Sequence, residues 1–131
     1  MGTAKLAAEL GEIGDGVVVT QVVPHYDADL PIVREFHAAL PPDVAFHKDF
    51  CALEGFVAAR MFLHALDRIS IPVTPESIVQ AMEGLGEFDI GLGEPLKLSA
   101  DRHQASMRVW PTVLRGGAPH PMKWEELKLQ P

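Results

Sequence analysis

The spacing of apolar residues along the chain predicts four helices. Leu6, Leu10 and Ile13 recur at helical intervals, so AKLAAELGEI should form a short helix with Thr3 as its N-cap. The glycine cluster GEIGDG ends this helix in an acidic turn. The other three predicted helices cover LPIVREFHAAL, Ala52–Arg68 and ESIVQAMEGL.

Two of these helices carry recognisable start signals. Asp29 is placed to cap the second helix, with Pro31 in its first turn. The fourth helix has Thr74 at the N-cap, Pro75 at the first helical position and Glu76 in the first turn.

Strands are predicted before the second helix and after the fourth. The β-branched run GVVVTQVV, residues 16–23, lacks strict alternation and indicates a strand covered on both faces, as in a parallel sheet. Pro111 lies in the last predicted strand and has no N–H to donate, so this strand is expected to be an edge or bulged strand. The later strands are short and are predicted over FDIGLG, EPLKLS and SMRVWPTVL.

The predicted order is α-β-α-α-α-β-β-β, an α/β chain in which one parallel-type strand precedes three central helices and a short carboxy-terminal β segment. This order is unusual for a self-contained domain, because a parallel strand requires parallel neighbours reached through crossover helices.

The third helix is apolar on most sides. Only Glu54, Arg60 and His64 interrupt CALEGFVAARMFLHAL, and the last two lie four residues apart on one stripe.

Composition excludes some classes of partner. The chain has 131 residues, 47% of them hydrophobic, and a net charge of −7. Nucleic acid and anionic membranes both attract cationic surfaces, so neither is expected as a partner. The amino terminus lacks the pattern of a secretory signal, and no run approaches the roughly 18 to 20 apolar residues that span a bilayer.

No catalytic, metal or cofactor site is predicted. The glycine cluster ends a helix, whereas a dinucleotide-binding loop follows a strand and opens a helix. Cys51 is the single cysteine and begins an apolar helix, where a buried structural thiol is the better interpretation than a nucleophile. No two histidines have the i, i+4 spacing of a helical metal pair: His25, His37, His47, His64, His103 and His120. The chain is therefore predicted not to be an enzyme.

Aromatic residues near turns are the best candidates for ligand contacts. Tyr26 follows the main strand, while Phe46 and Phe50 precede the third helix. α/β proteins place ligands at the carboxyl ends of parallel strands and at the loops that enter helices. Packing in the core or a hinge is the alternative for each of these side chains.

Five segments carry motifs whose order and spacing are specific: GVVVTQVVP, LPIVREFHAAL, FCALEGFVAARMFLHAL, VTPESIVQAMEGL and PLKLSADRHQASMRVW. Together they resemble the carboxy-terminal part of the extracellular solute-binding proteins of ABC importers, of the branched-chain amino acid (Leu/Ile/Val-binding) type. In that family the third segment reads as an aromatic, two or three small residues, then Leu-Glu-Gly-aromatic and an alanine-rich helix. The resemblance covers about residues 12–115, and Gln104-Ala105, Pro111 and the tail depart from the family pattern.

The resemblance implies a partial type I periplasmic binding protein fold. That fold has two doubly wound α/β lobes joined at a hinge, and it normally needs roughly two to three times this length. The chain is thus expected to be a carboxy-terminal fragment, a single incomplete unit. Its implied parts are the end of the second lobe (1–23), the helical part of the first lobe (24–95), a return crossover and strand (96–115) and a tail (116–131). The third helix becomes an inner helix whose Arg60 and His64 still meet water.

The function implied by the resemblance is capture of a small polar solute, such as an amino acid or an amide, by hinge closure around an interlobe cleft. Phe50 is the expected aromatic wall, and Tyr26 and Glu54 are further candidate contacts. The parent protein would be periplasmic or extracellular and would deliver the solute to a membrane permease. A self-associating interaction module that uses exposed apolar lobe surface, and a ligand sensor on the same fold, remain alternatives.

Overall fold

The structure, a computed structural model, describes residues 2–41, 48–70 and 72–127. The helices are α1 (Thr3–Leu10), α2 (Pro31–Ala39), α3 (Phe50–Leu66) and α4 (Pro75–Glu83), with 3₁₀ turns at Gly11–Gly14 and Trp124–Glu126. The strands are β1 (Val18–Gln21), β2 (Gly86–Phe88), β3 (Leu96–Leu98), β4 (Trp110–Arg115) and β5 (Ala118–Pro121). β5 lies within the segment that the sequence predicts as a tail.

The described residues form two compact units. The sheet unit consists of residues 2–28, 48–54 and 108–127 and contains α1, the first turn of α3, β1, β4 and β5. The helical unit consists of residues 29–41, 55–70 and 72–107 and contains α2, the rest of α3, α4, β2 and β3.

The sheet unit is built on a three-stranded sheet in the order β1-β4-β5. Both pairings are antiparallel, with Val18 opposite Val113 and Val113 opposite His120. The parallel pairing predicted for the β1 run is therefore wrong within the described residues. β-branched residues suit antiparallel strands equally well, and the side chains of β1 are half-buried or exposed.

β4 is the central strand, so the prediction that Pro111 marks an edge strand is also wrong. Leu114 exchanges backbone hydrogen bonds with Val17 and Gly16 on the β1 side, with N···O distances of 2.9 Å. Backbone groups alternate in direction along an antiparallel strand, so the nitrogen of Pro111 points away from β1. The β4–β5 ladder begins only at Thr112, so the missing N–H breaks no sheet hydrogen bond.

The core of the sheet unit joins α1 and the first turn of α3 to the sheet. Ala7, Leu53 and Leu114 are fully buried. The predicted N-cap of α1 is wrong by one residue, because Gly2 takes that position and the Thr3 hydroxyl instead accepts a hydrogen bond of 2.6 Å from the Gln21 amide.

The core of the helical unit lies between α2, α3 and the β2–β3 hairpin. Ile32, Val33 and Phe36 are the buried side chains of α2, and the hairpin and its flanks bury Leu85, Phe88, Ile90, Leu92, Leu96 and Leu98. The loop that joins β2 to β3 touches the start of α2 at Gly91, whose carbonyl accepts a hydrogen bond of 3.2 Å from Ile32 N–H.

The two predicted caps of this unit have different outcomes. Thr74 caps α4 as predicted, and it forms a reciprocal capping box with Ser77. Asp29 does not cap α2, because its carboxylate accepts a hydrogen bond from the exposed Arg34 guanidinium instead.

The polar stripe of α3 differs from expectation. Arg60 is half-exposed and pairs with Glu35 at 3.1 Å, but the His64 ring stacks on Phe88 with a centroid separation of 5.4 Å. Phe62 and Leu63 are 41% and 49% exposed. The helical unit thus leaves apolar side chains of α3 uncovered, while the His64 ring is partly enclosed.

Candidate functional site

An aromatic cluster lies in the sheet unit where the chain leaves β1 and where α3 begins. The Tyr26 and Phe50 rings meet edge to face with centroids 5.1 Å apart, and His25 lies 5.5 Å from Phe50 and 4.2 Å from Tyr26. Phe50 is 5% exposed, and the other two rings are half-buried. Such edge-to-face contacts add to the stabilisation that burial alone provides.

Backbone capping places Phe50 in this cluster. The Asp49 carboxylate accepts a hydrogen bond of 2.7 Å from Ala52 N–H, which is the arrangement of an N-cap at the start of α3. The cap fixes where the helix begins and therefore which way its first side chain points. Phe50 is consequently held by the helix start as well as by its ring contacts.

The hydrogen bonds of His25 define its tautomer. Its Nδ1 accepts a hydrogen bond from Asp27 N–H at 3.2 Å, so the proton of the neutral ring lies on Nε2. Nε2 can then donate to the Pro119 carbonyl at 3.3 Å. Through the hydrogen bond to Pro119, the neutral imidazole links the segment after β1 to β5.

The surroundings of Tyr26 disfavour negative charge. Burial raises the pKa of the Tyr26 phenol above 10.0, and the carboxylates of Asp27 and Asp49 raise that pKa further. The hydroxyl is therefore a neutral hydrogen-bonding group at physiological pH.

A cavity of about 190 Å³ adjoins Phe50 in the same unit. Residues 2–5 at the start of α1 form one wall, and Asp49, Phe50 and Cys51 form the other. The lining includes one cation, Lys5, and one carboxylate, Asp49. A solute in this cavity would meet an aromatic face and groups of both charges.

The three predicted site residues occupy different positions relative to the cavity. Phe50 lines it, and Tyr26 packs against Phe50 without lining it. Glu54 is exposed and makes no hydrogen bond or ion pair with any described residue. Phe46, the other aromatic candidate, lies outside the described residues.

Sequence reasoning missed Lys5, His25 and Asp49 as parts of this region. His25 and Asp49 each adjoin a predicted site residue in the sequence. The position of Asp49 just before an apolar helix is a signal for an N-cap. Nothing in the local sequence pattern links Lys5 to Phe50, because that proximity arises only from the fold.

Neither a cluster of metal-ligating side chains nor a membrane-spanning helix is found in the described part of the chain. Within it, no three His, Cys, Asp or Glu side chains converge as metal ligands would. None of its helices combines the length and the apolar character needed to cross a membrane.

Solved structures provide three informative comparisons. A possible leucine/isoleucine/valine-binding protein from Rhodopirellula baltica SH 1 is 42% identical, with a TM-score of 0.88, over 97% of this chain and 35% of its own. An extracellular ligand-binding receptor from Verminephrobacter eiseniae is 27% identical, with a TM-score of 0.68, over 82% of this chain and 31% of its own.

A more distant structure shares the fold alone. It is a branched chain amino acid ABC transporter protein from Thermus thermophilus with bound valine, 17% identical with a TM-score of 0.59. The match covers 94% of this chain and 36% of the other. These comparisons confirm the predicted α/β class and the partial type I periplasmic binding protein fold.

The matches cover most of this chain but only part of each solved structure. The chain spans about one third of the length of the solved structures that it resembles. No curated protein matches it. The profile of the periplasmic binding protein family matches residues 1–118, nearly the whole chain. The chain therefore belongs to the periplasmic binding protein family.

Proposed function

We propose that the chain forms part of a solute-binding protein that captures an amino acid or a similar small polar solute for an ABC importer. The observation that carries this proposal is the 42% identity, over 97% of the chain, to a possible leucine/isoleucine/valine-binding protein. Delivery to a membrane permease and a periplasmic location belong to the same proposal.

The proposed contact region is the cavity beside Phe50. Phe50 supplies the apolar wall, and Tyr26 supports its ring from behind. Glu54 lies one helical turn after Phe50 and so on the same side of α3, where its exposed carboxylate can meet a solute that extends beyond the ring.

The charges of the cavity suit a zwitterion. An α-carboxylate can pair with the Lys5 ammonium, and an α-ammonium can pair with the Asp49 carboxylate. An aliphatic side chain would then lie against the Phe50 ring. Apolar contact with oriented polar groups at one end is the usual composition of a small-molecule site.

The proposed mechanism is closure of two lobes around the solute, without covalent chemistry. A solute that contacts both lobes binds the closed form better than the open form, and it shifts the population by the difference in affinity. The chain supplies one part of the contacts, consistent with its share of the length of its relatives.

Calorimetric titration of the chain with L-leucine, L-isoleucine and L-valine tests the proposal. We expect binding of at least one of them, at least tenfold weaker in Phe50→Leu, which keeps an apolar side chain at the buried position. Phe62→Leu, in the exposed part of α3, is the matched control and should bind as the unchanged chain does. Absence of heat with all three amino acids, or equal affinity in both variants, contradicts the proposed site.

We propose self-association as a second candidate property, because Phe62 and Leu63, consecutive residues of α3, are both exposed. Adjacent exposed apolar side chains favour contact with a second copy. Sedimentation equilibrium should then show a dimer that Leu63→Glu converts to monomer. A monomer at every concentration excludes this second role.

A further inference from the structure

A cavity of about 220 Å³ lies between α4 and the end of β3, within the helical unit. An apolar cavity of about 150 Å³ can hold a benzene ring, so this one has room for a ring with a short substituent. We refer to it as the α4 cavity. Its lining consists of Ile78, Val79, Met82 and Glu83 from α4 and of Leu98, Ser99 and His103 from β3 and the turn that follows.

The apolar side chains of α4 are only partly covered by the rest of the unit. Within α4, which the structure describes in full, no side chain is buried. Ile78 and Met82 are half-buried and Val79 is 53% exposed, whereas Leu98 on the opposite wall is 5% exposed. The cavity therefore presents apolar surface to water, and a ligand that covers this surface gains the free energy of its burial.

The charge of the α4 cavity comes from one carboxylate. With His103 counted as neutral, as in the net charge of −7, the lining carries a charge of −1 from Glu83. The Glu83 side chain is 31% exposed, and its Oε1 lies 3.0 Å from His103 Nε2. This contact involves one of the two carboxylate oxygens, and an ionised carboxylate can accept hydrogen bonds at both. Partial enclosure strengthens the pairing of such a carboxylate with a cation, because less water screens the charges.

We propose that the α4 cavity binds small apolar amines, in which an aromatic or branched aliphatic body carries an ammonium group. The body lies against Val79, Met82 and Leu98, and the ammonium pairs with the Glu83 carboxylate. The net negative charge of the chain attracts the same class of ligand. The α4 cavity shares no lining residue with the cavity beside Phe50, so the proposal does not depend on the function proposed above.

Nuclear magnetic resonance of the chain labelled with ¹³C at the methionine methyl groups tests the proposal. Met82 lines the cavity, and Met82→Leu identifies its signal among those of the five methionines. Titration of the unchanged chain with benzylamine should shift the Met82 signal in a saturable manner. Benzyl alcohol, which lacks the charge, and methylammonium, which lacks the ring, should each bind at least about tenfold more weakly. Phenylacetate, which carries the opposite charge, should leave the signal unshifted.

Variants separate the ion pair from the apolar contact. Glu83→Gln keeps the length of the side chain and an oxygen that His103 can contact. It should weaken benzylamine binding about tenfold and affect benzyl alcohol by a smaller factor. Glu87→Gln removes an exposed carboxylate of β2 in the same unit, and as the matched control it should leave the affinity unchanged. Val79→Thr, at an exposed position of α4, should weaken the binding of both ligands about fourfold.

Three results would overturn the proposal. They are a Met82 signal that benzylamine does not shift, equal affinity for benzylamine and benzyl alcohol, and unchanged affinity for benzylamine in Glu83→Gln. The first two are measured on the unchanged chain, so they decide the question whether or not the variants fold.

Discussion

Replacement of Gly91 by alanine should destabilise the helical unit for two separable reasons. Gly91 has φ +81°, a conformation that L-residues with a Cβ rarely adopt. A Cβ at this position would also lie 2.7 Å from Pro31 Cβ and 3.0 Å from Ile32 N, at the start of α2. The hydrogen bond from Ile32 N–H to the Gly91 carbonyl holds these two backbone segments together.

Gly86 provides a matched control for the conformational part. It has φ +63°, but a Cβ there would meet nothing within 4 Å. Gly86→Ala should therefore lower the free energy of unfolding only by the left-handed strain, about 1–2 kcal/mol. Gly91→Ala adds a steric clash, which costs about 1–3 kcal/mol in packed regions. The total for Gly91→Ala is then about 2–5 kcal/mol.

Urea denaturation followed by circular dichroism measures both free energies of unfolding. The decisive quantity is the difference between the two variants, expected at about 1–3 kcal/mol. A difference below about 0.5 kcal/mol, within the usual scatter for surface substitutions, would show that the β2–β3 loop does not lie against α2.

Three further outcomes are expected. Thr74→Ala should lower the free energy of unfolding by about 1 kcal/mol in a urea titration, because Ser77 N–H loses its capping oxygen; no change would contradict the capping box. Leu114→Ala should cost about 3–5 kcal/mol in the same assay, since this side chain is fully buried; a cost near zero would remove β4 from the core. Tyr26 is the single tyrosine, so ultraviolet absorbance titration reports its pKa, which should lie above 10.0 and fall in Asp27→Asn while burial keeps it raised. Its contribution to stability is present below the unfolded pKa and is lost as pH rises through the higher folded value; a pKa at or below 10.0 would contradict the partly buried phenol.

The helices were predictable because their signals are local. The segments of α2, α3 and α4 were located to within a few residues, and the Thr74 cap with Pro75 follows directly from side-chain chemistry at a helix start. The prediction that Asp29 caps α2 is wrong, and the reason is equally physical. Asp29 has an alternative partner in Arg34, and sequence spacing alone does not decide between backbone N–H and guanidinium.

Strand pairing was less predictable because it depends on residues far apart in the sequence. Val18 pairs with Val113, so no local pattern could identify either partner or direction. Pro111 was expected at an edge, yet a central strand tolerates it where its nitrogen faces beyond the end of the β5 ladder.

The candidate site was predictable only in part. Phe50 is predicted from its place at a helix entry, and in the structure it lines the cavity, but its contact with a solute stays a prediction. Lys5 reaches this region through the packing of α1, and Asp49 was overlooked although its capping role is local. A charged lining group that comes from a distant segment, such as Lys5, cannot be predicted from local sequence patterns.

¹⁹F nuclear magnetic resonance of the chain labelled with 4-fluorophenylalanine tests most directly the central claim, that a solute binds beside Phe50. Phe50→Leu identifies the Phe50 signal among those of the six phenylalanines. Titration with L-leucine should shift the Phe50 signal and leave that of the exposed Phe62 unchanged. A spectrum in which no signal moves, or in which Phe62 shifts while Phe50 does not, would contradict a solute site beside Phe50.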